Sequence, residues 1–141
     1  MKTYARTLVA LAGFAFIATA AVVKAQSLDT ISKVPFAFNV GSSLMPRDTY
    51  RVSKLDGHND VFMISGFKHS AILVGQPDGG QTDDSPRLVF HRYGDSYFLR
   101  EVRLAGNTGF SLPETRQERD AQERIAARAT PDVIVVLANQ K

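Results

Sequence analysis

The sequence predicts a mainly β protein: an antiparallel β-sandwich or small partly open barrel of about seven strands, with one charged α-helix before the C-terminal strand. Three observations carry this reading. Short apolar runs, several of them alternating with polar residues, recur between Val34 and Leu137, and most are bounded by Gly, Pro, Asn or Asp. The densest of them, Leu88 to Leu99, holds four aromatic residues and is split by Gly94-Asp95 in the manner of a two-residue hairpin. A charged stretch with helical spacing then precedes Pro131 and the unbroken apolar run Val133 to Leu137.

The elements follow in order. Gln26 to Ser32 reads as a polar lead-in, and Val34, Phe36, Phe38 and Val40 alternate onto one face of a first strand, with Pro35 placing it at an edge. Met45 to Asp48 is a turn. Thr49 to Leu55 is the next strand, with Tyr50 and Val52 inward and Arg51 and Ser53 outward. Asp56 to Asp60 is a turn cluster, followed by short strands at Val61 to Ile64 and from Ser70 to Val74. Gly75 to Pro86 is a long polar loop of the kind that is either disordered or functional.

In the hairpin, a turn at Gly94-Asp95 sets Arg92 opposite Tyr97, Arg100 opposite Val89 and Glu101 opposite Leu88. Leu88, Phe90, Tyr97 and Leu99 share one face; Val89, His91, Tyr93 and Phe98 share the other. Leu104 to Phe110 is a Gly-Asn-Gly loop. Ser111 and Glu114 have the spacing of a capping box, which starts a helix running to about Arg128. Only Ala121, Ile125 and Ala129 form an apolar line along it, so its first half packs little. Val133 to Leu137 has the composition of a strand buried on both faces.

The N-terminus sets the compartment. Lys2 and Arg6 precede a nearly continuous apolar run from Thr7 to Val23, and Val23-Lys24-Ala25 resembles a signal-peptidase site. Residues 1–25 are therefore expected to be a signal peptide, leaving residues 26–141 as a single β-rich domain, periplasmic or extracellular. The chain has no Cys, which removes thiol chemistry and lipid anchoring through a cysteine. Of 17 Lys and Arg, three lie in the leader, so the rest of the chain carries 14 basic against 14 acidic residues. That balance argues against nucleic acid as a partner.

No catalytic or cofactor motif stands out. His58, His69 and His91 have no spacing that pairs them as metal ligands. Asp56, Asn59 and Asp60, and Asp78, Asp83 and Asp84, are oxygen-rich clusters without the EF-hand pattern. No G-x-S-x-G or H-E-x-x-H occurs. The expected interaction surfaces are the hairpin tip, with Arg92, Tyr93 and Tyr97, and the long loop, with Asp78, Asp83 and Asp84. Arg92 and Tyr97 also suit a cross-strand cation–π pair that closes the turn.

Pro35-Phe36-Ala37-Phe38-Asn39-Val40-Gly41, Pro46 with Thr49-Tyr50-Arg51-Val52, and the Leu88 to Leu99 hairpin form an ordered set. It resembles a group of small uncharacterised exported bacterial proteins with a P-F-x-F-x-V-G segment, an L-P-A-G-x-Y-like turn and an F-x-x-x-G-x-x-Y-F-L hairpin. Met45-Pro46-Arg47-Asp48 departs from that turn. The resemblance implies architecture and export, and no activity or ligand.

The function expected from the sequence is thus a non-catalytic exported binding or envelope-associated structural module, with no cofactor and an unknown protein or envelope component as partner. The alternatives are a small barrel carrying an apolar ligand between its sheets, which Phe36, Phe38, Phe62, Phe90 and Phe98 would instead fill, and a hydrolase.

Overall fold

The computed structural model describes residues 29–55, 57–78, 85–104, 108–125 and 131–140. The expected signal peptide, Asp56, Asp83, Asp84 and Arg128 lie outside them. The chain forms β1 (Thr30–Val34), β2 (Phe38–Val40), β3 (Ser43–Met45), β4 (Asp48–Lys54), β5 (Val61–Ser65), β6 (Ser70–Val74) and β7 (Gln76–Asp78). Then come β8 (Arg87–Tyr93), β9 (Ser96–Leu104), β10 (Thr108–Ser111), α1 (Arg116–Arg124), β11 (Asp132–Leu137) and β12 (Asn139–Gln140).

The strands build two sheets that face each other as in a β-sandwich and do not close into a barrel. One runs β12-β1-β4-β5-β6. The other runs β11-β8-β9-β10-β7, with β2 pairing in parallel to β9 and β3 pairing to β2. Among the described residues the chain crosses between the sheets at β1–β2, β3–β4, β6–β7 and β11–β12, the last two with a single residue between the strands. After β6, Gly75 leads into β7, and after β11, Ala138 leads into β12. Gly75 is required by closeness: a Cβ there would stand 2.9 Å from Phe110 Cβ.

Alternation decides what points inward. Val34, Phe38, Tyr50, Val52, Phe62, Ile64, Leu88, Phe90, Leu99 and Val102 form one cluster between the sheets. Phe38 meets Tyr50 and Phe90 edge-on at 5.2 and 5.0 Å, and Phe62 packs on Phe110 at 4.0 Å. Aromatic rings therefore fill much of the space between the sheets.

Several expectations are corrected. The residues from Val34 to Val40 are not one strand. Pro35–Ala37 interrupts it, and the chain passes from β1 in one sheet to β2 in the other. The supposed lead-in supplies β1, with Thr30 and Ser32 buried because β4 and β12 flank them. Met45 ends β3 and is buried against the core. The loop from Gly75 gives up Gln76–Asp78 to β7, and the loop from Leu104 to Phe110 gives up its last three residues, which with Ser111 form β10; the two strands pair with each other. Polar strands of this kind are held by their neighbours' backbone and not by their own pattern.

The hairpin keeps the expected register from Tyr93↔Ser96 to Phe90↔Leu99. A bulge then opens, pairing Val89 with Glu101 and Leu88 with Val102, so Arg100 is the extra residue. Leu99 and Val102 can both face the core as a result, while Arg100 and Glu101 both stay outside.

The helix begins later than Ser111, which remains in β10. Leu112 N–H is still bonded to Arg100 O at 2.7 Å, and Leu112 is buried in the core. The cap is Thr115, whose Oγ1 accepts from Glu118 N–H at 3.1 Å. The first half of α1 also packs, through Glu118 and Ala121. Finally, β11 is an edge strand with one open face: Val133, Val135 and Leu137 are half or more exposed, and only Ile134 and Val136 touch the core.

Candidate functional site

The outer face of the β8–β9 hairpin carries a second, smaller cluster of Tyr93, Phe98 and Ala121 beneath α1. At the far end of α1, Ile125 covers the turn at Gly94, which adopts φ +61° and whose added Cβ would meet Ile125 Cδ1 at 3.2 Å. Between these contacts lies Glu118, only 2 % exposed.

A buried carboxylate must be surrounded by donors. Arg100 Nη1 donates to Glu118 Oε2 at 3.2 Å. Tyr93 Oη donates to Oε1 at 3.4 Å, and His91 Nδ1 lies 3.4 Å from the same oxygen. Alternation from the inward Leu99 brings Arg100 to this face, and the bulge turns Glu101 outward beside it. Burial pushes the Tyr93 phenol above its ordinary value of 10.0, and the Glu118 charge pushes it in the same direction. The carboxylate thereby pins α1 to the sheet.

Glu118 also borders a groove at the open seam between the sheets. Its walls are Ile72, Leu73 and Val74 of β6 on one side, Phe98 and Leu99 of β9 with Asn39 of β2 on the other, and Leu112, Pro113 and Thr115 at its end. Three consecutive residues of one strand line a single concavity only when the strand presents its edge to it, because alternate side chains point to opposite faces. Among the described strands β6 pairs with β5 alone.

The backbone bonding sets which groups that edge offers. Gly75 N–H donates to Asp60 O and Gly66 N–H to His69 O, each at 2.8 Å. Hydrogen-bonded pairs alternate along an antiparallel ladder, so Leu73 and Ala71 bond inward to β5. The N–H and C=O groups of Ile72 and Val74 then point to the free edge. Their side chains are 69 % and 58 % exposed. The groove has a volume of about 190 Å³. Sites that enclose a small-molecule ligand run to ~300–1,000 Å³, whereas a cavity of ~150 Å³ admits a benzene ring. Its size suits one apolar side chain.

The residues expected at the hairpin tip do not form one patch. Arg92 lies over Tyr97 at 5.6 Å, with its Nε donating to Gly94 O at 2.7 Å, and Tyr97 stacks on Phe36 at 4.1 Å. Tyr93 is on the opposite face, buried under α1. Asp78 accepts from Arg103 Nη2 at 3.0 Å, and Arg103 also meets Glu101 at 3.3 Å. Asp83 and Asp84 are outside the described residues. Among the described residues no three His, Cys, Asp or Glu side chains converge on a metal-sized site.

Glu118 went unrecognised in the sequence although two signals mark it. Thr115-x-x-Glu118 repeats the capping pattern four residues after Ser111-x-x-Glu114, and Glu118 leads the line Glu118–Ala121–Ile125 that faces the sheet. Compared with protein-family models, with curated proteins and with solved structures, the chain finds no match.

Proposed function

We propose that this protein is a non-catalytic exported binding module that takes an extended segment of a partner protein as an added strand along β6. One observation carries the reading: a strand edge that no other described strand pairs, with the polar backbone groups of Ile72 and Val74 directed outward, borders an apolar groove sized for one side chain. Strand addition works by this division of labour, main-chain hydrogen bonds supplying affinity and a neighbouring pocket supplying selectivity. Glu118, Thr115 and Asn39 bring polar atoms to the groove wall and favour one orientation of the incoming backbone. Export rests on the leader-like residues 1–25 and on the resemblance to small exported bacterial proteins. Cleavage after Ala25 is checked by intact mass of the exported chain.

The test uses a displayed library of extended peptides, selected on the whole protein and remeasured on Ile72→Pro. Proline at this position deletes only an edge N–H and leaves the β5–β6 ladder in place. Selected peptides should carry an apolar residue, protect the Ile72 and Val74 amides from exchange, and bind Ile72→Pro at least about tenfold more weakly. Unchanged binding to Ile72→Pro, at an unchanged thermal midpoint, would remove β6 as the site.

A further inference from the structure

The equality of 14 basic and 14 acidic residues outside the leader hides a local imbalance. On the outer face of the five-stranded sheet, Lys33 pairs across to Thr49, and Arg51 lies between Ile31 and Ser65. Lys33 and Arg51 are thus diagonal neighbours, at a Cα spacing of roughly 7–8 Å. Arg47 enters β4 just above them. The β5–β6 turn brings Phe67 and Lys68 to the same corner, since Phe67 N–H donates to Asp48 Oδ2 at 2.8 Å. Among the described residues none of Lys33, Arg47 and Arg51 meets a carboxylate within ion-pair distance.

Two shallow concavities adjoin at Thr49. One, of about 380 Å³, is bordered by Lys33 and Arg47; the other, of about 280 Å³, by Arg51. Asp48, the one acid among the described residues lining these concavities, spends Oδ1 on Thr49 N–H at 2.7 Å and Oδ2 on Phe67 N–H. Its role is to hold the turn. Phe67 is 86 % exposed, the most exposed large apolar residue described, with Lys68 Nζ 5.9 Å from its ring.

The geometry points to this corner as a docking surface for an anionic phospholipid membrane, with Phe67 entering the interface and Lys33, Arg47, Arg51 and Lys68 meeting headgroup phosphates. Charge complementarity selects a phosphate-bearing surface, and the protruding ring selects lipid over an acidic protein. An isolated aromatic at the tip of a fixed turn gains from the headgroup–acyl boundary, while flanking cations remain with the phosphates. The turn is pre-organised: beyond the Asp48 bonds, Gly66 N–H donates to His69 O, and Gly66 lies against the Tyr50 ring. This surface is formed by β1, β4 and the β5–β6 turn, so it leaves the groove beside β6 available to a second partner.

The experiment is vesicle co-sedimentation of the protein recovered after export, using phosphatidylcholine vesicles with and without phosphatidylglycerol. Partition should require phosphatidylglycerol and fall as salt is raised. Arg47→Glu with Arg51→Glu should lower it by at least tenfold, since each cation near such a surface contributes about fivefold. Among the described residues neither exposed side chain makes a hydrogen bond or ion pair, so an unchanged thermal midpoint identifies the loss as one of binding. The chain has no Trp, which makes Phe67→Trp a single reporter whose emission should shift to the blue on binding. Equal partition on neutral vesicles, partition that survives the double reversal, unshifted emission, or no partition at all overturns the proposal.

Discussion

The β8–β9 hairpin buries both of its faces, against different things. Its inner face, with Leu88, Phe90, Leu99 and Val102, meets the other sheet through apolar contact alone. Its outer face meets a single nine-residue helix through Tyr93, Phe98 and Ala121, and that contact is completed by a carboxylate held by Arg100, Tyr93 and His91. Apolar packing tolerates small sliding, because it has no direction. Charge-assisted hydrogen bonds fix position, because they do. The inner face is where stability resides, and the outer face fixes where α1, and with it the end of the groove, stands.

Four measurements test this contrast. Phe90→Ala on the inner face should cost about 3–5 kcal/mol in denaturant unfolding, and an effect near that of an exposed substitution would disprove its central place. Glu118→Ala on the outer face should cost less, about 1.5–3 kcal/mol, because Arg100 and His91 keep partial access to water. Its signature is local: amide exchange should accelerate in α1 while β1, β4 and β5 stay protected, and peptide binding at the groove should fall. A uniform acceleration across both sheets would erase the distinction between the faces.

Tyr93→Phe should cost about 0.5–1.5 kcal/mol at neutral pH. The phenol's pKa is raised in the fold, so its favourable contribution is complete below the ordinary value of 10.0 and is lost as pH climbs toward the folded value. The gap between wild type and Tyr93→Phe should therefore narrow above pH 10.0, as followed by thermal midpoints. A gap that widens there would mean the hydroxyl ionises more easily folded than unfolded. The smallest effect is expected at Arg116→Ala on the exposed side of α1, within about 0.5 kcal/mol; a larger loss would show that α1 is held by more than its sheet-facing side.

The two apolar edge strands teach a related lesson. β6 and β11 are both runs of Val, Ile and Leu at the end of a sheet, and each exposes alternate side chains. β11 continues around a corner into β12 and is tied to β1, with Ser32 Oγ donating to Leu137 O at 3.3 Å. β6 presents its edge to a groove instead. Composition alone reads β11 as buried on both sides, because a run of apolar residues records what a strand tolerates and not how many neighbours it has.

Near neighbours along the chain encode a definite set of features. The fold class, the turn at Gly94-Asp95, the inward side of β4, and the two faces of the hairpin near its turn all follow from alternation and turn chemistry within a few residues. Long-range packing set the rest. It split Val34 to Val40 between two sheets, recruited Gln76–Asp78 and Thr108–Ser111 into strands, and placed the bulge that turns Glu101 outward and Val102 inward. It also set a glutamate in the sheet-facing line of a charged helix, where Glu118 is buried only because Arg100, 18 residues away, and Tyr93, 25 residues away, are there to receive it. The groove followed from the same cause: its walls come from four separate stretches of chain, and no local pattern encodes a space that exists only between them.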